Sequence, residues 1–201
     1  MEVRMRIEVL TKKRFKETSY VFANAFEHDV VILRMIPINS RNRVEKIARY
    51  YRWSISITGY QNVDVVIDDT DSVIGAAMWE PPKHKPYLVR AIKPFLALLL
   101  TMGRRWWSEL NAYSQASSGT YPAKPHWHLS EIAVLSKAQG RGIGRSLIEH
   151  KLKLIDEHQD VVSLEATSEA SRKLYSRFGF TDVKKLSAPA EGVVVMKRDP
   201  Q

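Results

Sequence analysis

Hydrophobic and polar positions alternate at the start of the chain, where Met5, Ile7 and Val9 interleave with Arg4, Arg6 and Glu8. A two-residue period of this kind predicts a strand over 3–10 with one buried face. The period then lengthens. Thr11 stands where a helix cap belongs, and Phe15, Phe22, Ala25 and Phe26 recur behind it at helical spacing. A second amphipathic helix is predicted after Ser40, with Val44, Ile47, Ala48, Tyr51 and Ile55 on one face. Between the two, Val30 to Ile36 is apolar throughout and fits a strand or a helix equally, closed by Pro37.

Further along, Val63 to Ile67 and Val73 to Trp79 flank the turn Asp68-Asp69-Thr70-Asp71 and predict a hairpin, stopped by Pro81-Pro82. Tyr87 to about Ala116 turns helical and Leu-rich, and a loop from Ser117 to Pro125 follows. From there the elements alternate. Trp127 to Val134 reads as a strand, Gly142 to Glu157 as a helix, Val161 to Ala166 as a strand and Glu169 to Arg177 as a helix. Phe180 to Leu186 and Gly192 to Lys197 make a closing strand pair around Pro189. This order predicts one mixed α/β domain over 1–201, carrying a helical insertion at about 84–125.

Composition narrows the chemistry. The absence of cysteine excludes disulfides, thiolate metal ligands and a cysteine nucleophile. The six histidines show no ligand spacing, so no metal is expected. A net charge of +9, from 31 Lys and Arg against 22 Asp and Glu, suits an anionic cofactor or nucleic acid equally. The longest apolar segment, Ala91 to Met102, is interrupted by Lys93 and Pro94 and falls short of the ~20 residues a membrane span needs. No membrane partner is expected, and the alternating N-terminus is no secretory signal, so a cytoplasmic location is the default.

One stretch carries a sharper message. Gln139-Gly140-Arg141-Gly142-Ile143-Gly144 lies between the strand ending at Val134 and the next helix. Glycines spaced by two let successive N–H groups converge on an anion at a helix start, where the macrodipole adds partial positive charge. Arg141 and Arg145 bring full charges to the same place. A P-loop would need a glycine at 139 and a lysine before Ser146, and a dinucleotide fingerprint would need Gly-x-Gly-x-x-Gly near the start of a βαβ unit. Neither pattern is present.

Taken in order, Ile132-Ala133-Val134, the glycine loop, Leu164-Glu165-Ala166 and Leu174-Tyr175-Ser176-Arg177-Phe178-Gly179-Phe180 resemble the GCN5-related N-acetyltransferases (GNAT). Ala77-Met78-Trp79-Glu80-Pro81 and the segment from Pro189 to Lys197 look most like the small-molecule branch typified by puromycin N-acetyltransferase. The resemblance implies an acyl-CoA N-acyltransferase fold, a three-layer α/β/α arrangement with splayed central strands and a cofactor-binding core at about 127–180. It implies acetyl-CoA as acetyl donor. Gln139, Gly140, Arg141, Gly142, Ile143, Gly144 and Arg145 would hold the pyrophosphate, while the main chain of Ile132, Ala133 and Val134 pairs with the pantetheine arm as an added strand.

Tyr175 stands where the family places its general acid. Ser168 and Ser171 flank it, the first as a candidate helix cap and the second as a candidate cofactor contact. For the base that deprotonates the amine, alternation puts His128 and Ser130 on the face of Ile132 and turns Glu131 away unless a bulge intervenes; Glu165 is a further candidate. Trp79, Trp106, Trp107, Tyr113 and Trp127 either wall an acceptor pocket or fill core. The expected acceptor is a primary amine on a small molecule, and the expected assembly a monomer or homodimer. A protein lysine or N-terminus is the alternative acceptor, and a non-catalytic acyl-CoA sensor or nucleic-acid module the alternative class.

Overall fold

The computed structural model describes residues 5–102, 105–187 and 190–201. Seven strands form one sheet in the order β1-β2-β3-β4-β5-β7-β6: β1 Arg6–Val9, β2 Val63–Ile67, β3 Val73–Glu80, β4 Trp127–Val134, β5 Val162–Ala166, β6 Thr181–Lys185 and β7 Val194–Arg198. All pairings are antiparallel except β4 with β5. Helices cover both faces. On one lie α1 Phe15–Ala25, α3 Arg43–Thr58 and the inserted α4 Leu88–Met102 and α5 Arg105–Ser117, around a core that includes Phe22, Tyr51, Met78 and Trp106. On the other lies α6 Ile143–Glu157, with α7 Glu169–Ser176 beyond it, over Trp79, Leu129, Leu164 and Met196.

The mixed α/β class and its layers stand as the sequence predicts, with local corrections. Thr11 caps no α-helix: a 3-10 turn at Lys12–Arg14 intervenes, and Thr11 makes no side-chain cap bond. The ambiguous apolar run is a short helix, α2 Val30–Met35, because the Asp29 carboxylate accepts from the Val31 and Ile32 amides and so starts it. Pro189 lies outside the described residues.

Two strand irregularities position everything downstream. Between β2 and β3 the register shifts at Val66/Ile67, which turns Gly75 toward α6; a Cβ there would sit 2.8 Å from Ile143 Cγ2 and 3.3 Å from the Ala133 carbonyl oxygen. Between β3 and β4, Met78 pairs with Glu131 but Trp79 with Leu129, so Ser130 is the extra residue of a bulge. Across the sheet, α6 is fastened to β2 by a buried ion pair, Lys151 Nζ to Asp64 Oδ2 at 3.0 Å, with the ammonium also 5.7 Å from the Trp127 ring centroid.

Lys151→Met should leave the Asp64 carboxylate buried without its partner and lower stability by about 3–5 kcal/mol, while adding Asp64→Leu restores most of the loss. Chemical denaturation of the single and double variants reads both values.

Candidate active site

The site begins where β4 and β5 part. They pair only over Trp127–Val162, His128–Ser163 and Leu129–Leu164; beyond Leu129, β4 keeps β3 on one side and has no pairing with β5 on the other. The main chain from Ser130 to Val134 is therefore bordered by a gap, and backbone donors and acceptors facing such a gap are open to an added extended segment. At the far end of this edge sits the glycine loop. Gly140 and Gly142 adopt φ of 75° and 77°, values that other residues rarely tolerate, and Gly142 is the N-cap of α6 with no side chain to satisfy the first-turn amides. Those amides, together with exposed Arg141, are the donors that a helix start offers to an anion; Arg145 is engaged with Glu149 at 2.7 Å.

Inward from the gap lies a cavity of about 500 Å³. Tyr175, Glu131, Ile132, Ser168 and Ser171 all line it, which brings five of the sequence-predicted residues to one place. Tyr175 is 6% exposed, and burial, with the Glu131 charge adding, raises its phenol above the ordinary value. Ser168 and Ser171 are spent largely on each other: Ser168 Oγ accepts from the Ser171 amide at 3.1 Å, and Ser171 Oγ accepts from the Ser168 amide at 3.2 Å, a reciprocal capping box that starts α7.

The bulge at Ser130 decides which β4 side chains meet. It resets the alternation, so Glu131 shares the α1/α3 face with His128, and Ile132 packs on the α6 side. The expectation that His128 and Ile132 lie together is thereby corrected. His128 instead borders a separate hollow with Glu80 and His126, its Nδ1 2.8 Å from Ser163 Oγ and its ring edge-on to Tyr121. Burial pushes its imidazole down to about 4, with Glu80 opposing and His126 adding to the fall, so it is neutral at physiological pH.

Glu131 is shifted the other way. Burial raises its carboxyl well above the usual range, and the charges of Asp29, Glu165 and Glu80 raise it further, against the pull of the Tyr51 hydroxyl. Glu165, on the same cavity wall, is also raised by burial; the Tyr121 hydroxyl donates to it, and Tyr113 opposes the shift as well. Asp29, Tyr50 and Tyr51 complete a wall that the sequence reading missed as site residues. The signal was present: Asp29 precedes an apolar run as a cap does, and a tyrosine doublet on an amphipathic helix puts one ring off the core stripe. Of the large aromatics, Trp79 and Trp106 are fully buried core, whereas Tyr113 faces the cavity.

Residues 107–182 match the family model described as an acetyltransferase (GNAT) domain. Over those residues the chain is similar to a GNAT acetyltransferase domain. Solved structures of similar fold span nearly its whole length. One is described as histone acetyltransferase HPA2 and related acetyltransferase from Corynebacterium glutamicum, 24% identical, with 98% of this chain and 97% of that chain covered and a TM-score of 0.75. Two others are arylalkylamine N-acetyltransferase 2 from Aedes aegypti (12% identical, 98% and 100% covered, TM-score 0.61) and a Drosophila melanogaster polyamine N-acetyltransferase that forms N-acetylagmatine (14%, 98% and 100%, TM-score 0.63). No curated protein matches the chain at a significant level. The parted strands are β4 and β5, and α4 and α5 lie in the stretch that separates β3 from β4.

Gly142→Asp should weaken acetyl-CoA binding at least about 100-fold, because a carboxylate is placed at that helix start in a backbone conformation that favours glycine. Isothermal titration of both proteins measures it, and since a Cβ at 142 meets nothing within 4 Å, the melting temperature should fall only by the few degrees that about 1 kcal/mol of left-handed backbone strain costs.

Proposed function

We propose that this protein transfers the acetyl group of acetyl-CoA directly to the primary amine of a small cationic molecule. The observation that carries the reading is the meeting of a buried phenol, Tyr175, and a half-buried carboxylate, Glu131, on one cavity at the parting of β4 and β5. Family likeness supports the donor; cavity chemistry supports the acceptor.

The α6 first turn and Arg141 would hold the donor's diphosphate, and the β4 edge from Ser130 to Val134 would align its peptide-like arm. The thioester supplies the acetyl group. The acceptor arrives protonated, and the carboxylates of Asp29, Glu131 and Glu165 favour a cation over a neutral amine. Tyr50, Tyr51 and Tyr113 offer ring surface for its carbon skeleton and for the charge itself. Glu131 then takes the proton at a carboxylate oxygen, a task for which its raised pKa suits it at neutral pH. His128, displaced to the neighbouring hollow, is not needed for that step.

Once the amine nitrogen bonds the acetyl carbon, the carbon–sulfur bond breaks and sulfur gathers negative charge. Tyr175 holds a proton on its hydroxyl for that moment. Burial makes the phenol a weaker acid, yet the same dry surroundings make the departing thiolate a stronger base, so the transfer keeps its driving force. The insertion supports a small acceptor over a protein lysine, because α5 contributes Leu110 and Tyr113 to the cavity wall where a peptide groove would have to pass.

Thiol release from acetyl-CoA should require an added primary amine, and Tyr175→Phe should lower kcat by about 10²-fold or more with the acetyl-CoA dissociation constant unchanged within about twofold. An amine panel with thiol detection, beside direct titration of the donor, separates the two effects; turnover equal to wild type would remove Tyr175 from the chemistry. Glu131 generates a pH signature as well. A general base works deprotonated, so kcat/KM should fall as pH drops through its raised pKa, placing the acid limb above the ordinary carboxylate range of about 4–4.5. In Glu131→Gln that limb should vanish and the plateau fall by about 10²–10⁴.

A further inference from the structure

The inserted helix α4 presents apolar side chains to solvent. It packs on α3 and α5 through Ala91, Phe95, Leu98 and Met102, and Phe95 meets the rings of Trp53, Trp106 and Trp107. The other side of the helix should then be polar. Instead Leu88, Val89, Ile92, Leu96 and Leu100 are 63%, 84%, 53%, 51% and 87% exposed. At about 100° per residue these positions fall within one arc of roughly a third of the circumference, a continuous stripe and not scattered single leucines.

Charge identifies what covers the stripe. From Pro81 to Ser108 the sequence has six basic residues, Lys83, Lys85, Arg90, Lys93, Arg104 and Arg105, and no Asp or Glu. Elsewhere acids balance bases closely; here a run of 28 residues has none. An apolar stripe in a segment whose charged residues are all cations fits a surface that is apolar within and anionic at its face. A second copy of the chain fits less well, because a two-fold contact would set basic segment against basic segment. Tyr87 and Trp107, 38% and 42% exposed, bracket the stripe, the residue types that settle at a water–lipid boundary.

We propose that α4 lies flat on an anionic lipid bilayer, its leucine stripe among the acyl chains and its lysines and arginines at the headgroups. A helix too short to span is no obstacle to this geometry, since no helix among the described residues is long and apolar enough to cross a membrane and lying in the interface requires only one apolar face. The inference is independent of the acetyl-transfer reading.

The test is co-sedimentation of the full-length protein with vesicles of phosphatidylglycerol and phosphatidylcholine against pure phosphatidylcholine. Wild type should partition at least about tenfold more strongly onto the anionic vesicles and release in high salt, and Leu96→Glu/Leu100→Glu should lose that binding. Both positions are solvent-facing and outside the cavity, so the double variant should retain its melting temperature and its turnover in solution. Equal partition onto the two vesicle types, or unchanged binding by the double variant, overturns the proposal. So does light scattering that shows a dimer dissociated by the same two changes, which would make a second copy the occupant.

Discussion

The site depends on one constraint: β4 cannot stay paired with β5 beyond Leu129. The bulge at Ser130 bends β4 while β3 follows it, and β5 continues with β7, so the sheet opens between the two strands that pair in parallel. Sheets avoid such openings because each lost ladder bond leaves a donor or acceptor unpaired. Here the gap is what the candidate site is built on. It exposes a backbone edge to one side, leads to a cavity on the other, and gives the glycine loop and Tyr175 a shared approach.

The same bulge sets the electrostatics. By resetting alternation it moves Glu131 onto the face of Glu165 and Asp29, into a cluster of half-buried carboxylates with few compensating cations. Clustered acids resist ionisation and attract cations, so one backbone irregularity both raises the pKa of a base and biases the cavity toward an ammonium ligand. His128, one residue before Leu129, keeps its regular register with Ser163 and is drawn into a different hollow.

Much of this was legible in the sequence. Period-two runs and helical stripes located most of the elements, and the glycine loop announced itself because φ values near 75° leave few residue types to choose from. Tyr175, Ser168 and Ser171 followed from the order of motifs. What stayed hidden was relational. A bulge is one extra residue on one strand, visible only against its partner, so Ser130 gave no sign and His128 was assigned to the face of Ile132. Val30–Met35 was ambiguous since a short apolar run suits either element; its cap, Asp29, decided it. Tyr51 looked like core because helix periodicity reports which side is buried, and a cavity wall is buried too.

Gly75 shows how far from a ligand its binding can be set. Only a hydrogen atom separates this inner-strand position from Ile143, the first residue of α6, so the helix start rests directly on the sheet. Affinity for a donor held as proposed would thus be adjustable from beneath: volume added under the helix would lift the amides away from the phosphates while every residue touching them stayed the same.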